Sequence, residues 1–164
     1  MKLLFFCFVL LAGIQSANRL FAQDAETGFT KSDFYSAMSG GNVDEINKQL
    51  ELVTGAPAAD KNAYEGALLM KKAGITNGSK KKLDLFKSGH KKLEAAIQKD
   101  SSNTEFRFLR LMIQEHAPGI LGYKGEMNRD RMYIKNNFKK LPSVVQAAVR
   151  EYSKESKILK PSDL

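Results

Sequence analysis

Apolar residues recur along this chain at helical spacing. Val43, Ile46, Leu50 and Val53 follow one another at three, four and three residues, which places them on one face of a helix. Leu83, Phe86, His90, Leu93 and Ile97 repeat the pattern at three, four, three and four. Strict alternation of apolar and polar residues is scarce, and β-branched residues rarely cluster. The pattern predicts an all-α fold of about six or seven helices in antiparallel hairpins.

The breakers between these stripes set the expected bounds. A first helix carries Phe34, Tyr35 and Met38, is capped by Thr30 or Ser32, and stops at Gly40-Gly41. A second spans about 43–53, and Gly55 to Ala59 forms a linker. A third covers about 61–73 and ends before Thr76-Asn77-Gly78-Ser79; a fourth, the longest, covers about 80–99. Asp100 to Asn103 supplies a turn and the cap of a fifth helix, about 104–116. Its centre, FRFLRLMIQE, is apolar on more than half its circumference, which marks it as the central helix. A sixth helix is expected over about 127–139 with Met132, Ile134 and Phe138 inward. Pro142 suits the start of a seventh, about 143–156.

The beginning of the chain has a different pattern. Lys2 precedes an uncharged run from Leu3 to Ile14, too short for a bilayer span, which needs roughly 20 residues. It suits the apolar core of a secretory leader, cleaved after Ala22, with Ala17 as the alternative point. A lipid-attachment site is disfavoured because Ile14 stands after Leu11-Ala12-Gly13 where a cysteine is required. Residues 1–22 are thus expected to be a cleaved signal peptide, 23–29 a disordered segment, 30–158 one helical domain and 159–164 a polar tail. Export to the periplasm is the expected location, with the extracellular space as the alternative.

Cleavage would remove Cys7, the single cysteine, and with it any disulfide or thiolate–metal site. Stability then rests on an ordinary apolar core, for which 43% hydrophobic residues suffice. Loss of Lys2 and Arg19 lowers the formal charge from +8 to +6, an excess that reads as moderate and spread out. It favours anionic surfaces or acidic proteins as partners over nucleic acid, since no aromatic residues interleave with the lysines to stack bases.

Gly89, Leu93, Ala96 and Ser101 stand at relative positions 0, 4, 7 and 12, and Ala96 to Phe106 reads AIQKDSSNTEF. This resembles the second helix of a tetratricopeptide repeat and the junction to the next repeat. Ser101 stands where the repeats have proline, and Gly74 to Lys82 lengthens the connection to the preceding helix. The resemblance is therefore to a degenerate, tetratricopeptide-like arrangement, carried by the fourth and fifth helices alone. It implies paired helices in close approach and a binding role rather than a catalytic one. More loosely, the chain resembles the small exported helical proteins of Gram-negative bacteria.

Several residues invite chemistry. Arg107, Arg110 and Gln114 share one side of the fifth helix at i, i+3 and i+7. Two guanidinium forks can clamp a carboxylate or phosphate, or pair with carboxylates of a neighbouring helix. Glu115 and His116 are adjacent, so they diverge around the helix, and His116 is expected to meet the carbonyl end of its own helix. His90 reads as a partly buried packing residue. Ile120, Leu121 and Tyr123, in a loop with three glycines, form either a binding lip or a packed return. Lys80, Lys81, Lys82, Lys87, Lys91 and Lys92 make a basic patch, with Lys135, Lys139 and Lys140 a second cluster. No catalytic residues, cofactor or metal site are expected. The expected function is non-enzymatic binding of an envelope protein or peptide, through a groove between helices three to six. The alternatives are a small hydrolase with a dispersed site, or a protein that binds polyanions or anionic surfaces.

Overall fold

A computed structural model describes residues 28–164. The leader expected at 1–22, and residues 23–27 beyond it, lie outside the described residues. Among the described residues there are seven α-helices and no strand: α1 (Lys31–Gly40), α2 (Val43–Leu52), α3 (Lys61–Ile75), α4 (Ser79–Lys99), α5 (Thr104–His116), α6 (Met127–Asn137) and α7 (Ser143–Glu155). None is long and apolar enough to cross a membrane.

Local chemistry places several of the ends. Thr30 Oγ1 accepts from the Asp33 N–H at 3.1 Å and starts α1, and Gly41, at φ 74°, ends it. Asn42 Oδ1 accepts from Asp44 N–H at 2.8 Å, so α2 starts two residues after Gly41. Asp44 and Glu45 lie in its first turn, where the helix dipole favours negative charge. Asn103 Oδ1 caps α5 through the Phe106 N–H at 3.1 Å.

Packing then follows from side-chain size. Gly66 of α3 and Gly89 of α4 bring these helices into backbone contact. A Cβ at Gly66 would lie 2.7 Å from Gly89 O, and one at Gly89 would lie 2.5 Å from Gly66 O. Only glycine fits both positions. On the inner side of this pair, α5 runs through the molecule against α3, α4, α6 and α7. From Glu105 to Gln114 every residue of α5 except Arg107 is buried. Phe34, Tyr64, Phe108, Leu68, Leu93, Leu109 and Ile134 form the centre of the core, and each such side chain contributes ~1.5–3 kcal/mol on burial.

Four expectations change. Phe29, assigned to a disordered segment, is buried against Phe34 and Tyr64, with ring centres 6.2 and 5.2 Å away. Residues 159–164 are docked rather than a free polar tail: Leu159 is fully buried, and Asp163 takes a bidentate bond from Arg131 at 2.6 and 2.8 Å. Met132 faces outward, because it lies about 200° around the helix from Ile134. The inward positions of α6 are Asp130 and Ile134, with Phe138 continuing them just past its end. Leu83, on the expected inner stripe of α4, is 40% exposed, since α5 ends before reaching it.

Candidate functional site

The two arginines of α5 point at one carboxylate. Asp130 is fully buried on α6 and accepts from Arg110 Nε at 2.6 Å and Arg110 Nη2 at 2.8 Å. Arg107 Nη1 reaches the same carboxylate at 3.1 Å. The remaining donors of Arg107 go to Ser101 O at 3.0 and 2.7 Å, and its guanidinium lies 4.3 Å from the centre of the Tyr133 ring. Arg110 Nη1 bonds Glu94 of α4 at 3.0 Å, and Glu94 accepts in turn from the Tyr123 hydroxyl. Burial alone would lower the Arg110 pKa, but the Asp130 and Glu94 carboxylates outweigh it and raise it. The forks expected to hold a ligand are thus closed on internal partners. They tie α4, α5, α6 and the loop before α6 into one unit.

The other candidates lie elsewhere. Gln114 is buried, with its Oε1 unpartnered. Glu115 turns to α7 and bonds Tyr152, Ser156 Oγ at 2.6 Å and the Lys157 N–H at 2.5 Å. Burial raises the Glu115 pKa, but these three donors win and hold it below the ordinary carboxylate value. His116 Nδ1 lies 2.9 Å from Met112 O, at the carbonyl end of its own helix. Thus Arg107, Arg110 and Tyr123 come together through Asp130 and Glu94, while Glu115 and His116 stand apart from them. Among the described residues no three His, Cys, Asp or Glu side chains gather as metal ligands would.

Sequence reasoning missed a third polar knot. Buried Glu105 Oε1 accepts from the Tyr35 and Tyr64 hydroxyls, each at 2.9 Å, and its Oε2 from Lys31 at 2.7 Å. Burial, and then the Glu105 charge, push both tyrosine pKa values up, so both remain donors. The available signal was an acidic residue in the first turn of the most buried helix.

What stays open lies on α4. Phe86 and His90 stack at 6.2 Å, and Tyr123 stands edge-on to His90 at 4.6 Å. With Leu83, Leu121 and Gly122 at the sides and Lys87 at the rim, they line a groove of about 370 Å³. Tyr123 and Leu121 of the glycine loop pack inward, whereas Ile120 between its glycines is 96% exposed. A wider cleft of about 660 Å³ runs along the other side of α4, lined by Leu69, Leu85, Lys80 and Lys81 among others.

The basic patch is not one face. Lys87 lines the groove and Lys91 follows it one turn on, whereas Lys80 and Lys81 line the wider cleft. Lys92 pairs with Glu65 at 3.0 Å. The positive charge is also less spread than the sequence reading held: residues 66–93 contain eight lysines and one acid, Asp84. Of these lysines only Lys92 has an ion pair among the described residues.

No protein-family model matches the chain, and no curated protein or solved structure matches it.

Proposed function

We propose that the chain is an exported, non-enzymatic binding domain of the cell envelope, built of tetratricopeptide-like helical hairpins, that takes a protein or peptide partner. The partner docks in the groove between α4 and the loop at 119–123. One observation carries this reading. The charged residues of α5 are engaged with neighbouring helices, whereas the groove offers aromatic side chains, exposed Leu83 and Lys87, which has no ion pair among the described residues, with exposed Ile120 in the adjoining loop. Its volume falls within the range of pockets that hold a few large side chains. Anchoring by aromatic and aliphatic contacts under a polar rim is how small interfaces concentrate their binding energy.

The mature chain, immobilised and exposed to envelope extract, tests this reading. A partner retained by the natural sequence and lost by Leu83→Asp and Ile120→Asp supports it. Val43→Asp, on a solvent-exposed position of α2, serves as the control. Retention by all three variants alike, or no retained partner, rejects the groove as the binding surface.

A further inference from the structure

Resting on that reading, we infer that the groove selects an acidic segment carrying apolar anchor residues, held by Lys87 and Lys91. Three observations converge. Lys87 lines the groove, and Lys91, four residues on, shares its side of α4. Within residues 66–93 a single acid opposes eight lysines, so the field there is strongly positive. Elsewhere the buried acids are engaged: Asp130 by Arg110, Glu105 by Lys31, and Asp163 by Arg131. Among the described residues no acid pairs with Lys87 or Lys91.

The recess favours a peptide over a bilayer. Phe86, His90 and Tyr123 lie at the floor of a concavity that a flat surface does not enter. A helical segment with apolar residues at i, i+3, i+4 and i+7 places a side chain in such a recess and presents its carboxylates to the rim. The rigid backing matters as well: Gly66 and Gly89 lock α4 to α3, and Tyr123 is tied to Glu94. The groove is therefore formed before its occupant arrives.

The probes are a blocked peptide EELAEFLEELAE and its counterpart with every Glu replaced by Lys, titrated into the isotope-labelled mature chain and followed by NMR. The acidic peptide is expected to shift Phe86, His90, Leu121 and Tyr123 to saturation. The lysine counterpart should bind at least about tenfold more weakly, and Lys87→Glu/Lys91→Glu should reduce that preference by a similar factor. Both lysines are exposed, and an unchanged thermal melt shows that this variant folds. Equal binding of both peptides at the groove overturns the acidic preference and leaves the groove reading standing. No shift with either peptide overturns both. Sedimentation with phosphatidylglycerol vesicles, abolished by Ile120→Asp, without any peptide-induced shift, overturns the peptide in favour of a bilayer surface.

Discussion

The α5–α6 seam and the α4 edge are both rich in charge, yet they use it in opposite ways. At the seam, Asp130 is fully buried and receives three bonds from two arginines, so each formal charge has a fixed neighbour. Along α4, Lys80, Lys87 and Lys91 have no ion-pair partner among the described residues and sit beside exposed Leu83. A charge removed from water must be matched inside, whereas a charge left in water without a match acts outward. The contrast separates residues that hold this molecule together from residues that face outward.

The largest effect is expected at the seam. Asp130→Ala leaves two guanidiniums without their carboxylate and should lower stability by about 3–5 kcal/mol in urea denaturation. Replacing Arg110 with Met and Asp130 with Leu together should cost much less, because the buried Arg110 guanidinium is then not left without its carboxylate. An equal cost for both would mean that the seam is no more than packing. Next comes the platform that carries the α4 edge. Gly89→Ala pushes a methyl group toward Gly66 O and should destabilise by about 1–3 kcal/mol, read as a lower thermal midpoint.

A smaller effect concerns the residues after α7. Arg131 and the Lys160 N–H hold the Asp163 carboxyl well below the usual carboxylate range, and Glu115 is lowered too. A lowered carboxylate stabilises the fold above its unfolded pKa, near 4, and this support is withdrawn as pH falls through the folded value. NMR signals of residues 156–164 should therefore depart from their native positions below about pH 4, ahead of those of α5. Simultaneous loss would show that this segment has no separate stability. Smallest of all, Leu83→Ser and Ile120→Ser should change the unfolding free energy by less than about 0.5 kcal/mol. A larger loss at either position would place it with the seam, as part of the fold.

Much of this arrangement is legible in the sequence, and the exceptions have physical causes. Caps and glycines mark helix ends locally, so Thr30, Gly41 and Asn103 act where their chemistry suggests. Inward faces depend on neighbours as well as on period. Met132 was read as inward because it is apolar, yet the buried position belongs to Asp130, whose ionised side chain is acceptable only because Arg107 and Arg110 face it. Leu83 continues a regular stripe but outruns the helix that would cover it. Phe29 and Leu159 lie in segments too short to show a period, and their burial comes from distant partners. For the candidate residues, the spacing of Arg107 and Arg110 correctly put them on one side of α5. Their partner, 20 residues away from Arg110, was invisible to any local pattern.

The contact between Gly66 and Gly89 also bears on how this molecule meets its surroundings. Lysine-rich stretches are commonly loose and surrender much motional freedom when they are captured. Here the backbones of two helices touch, so the lysine-bearing helix is stiff beneath its side chains and that surrender takes place as the chain folds. Whatever approaches this edge meets a spaced row of positive charge on a rigid rod.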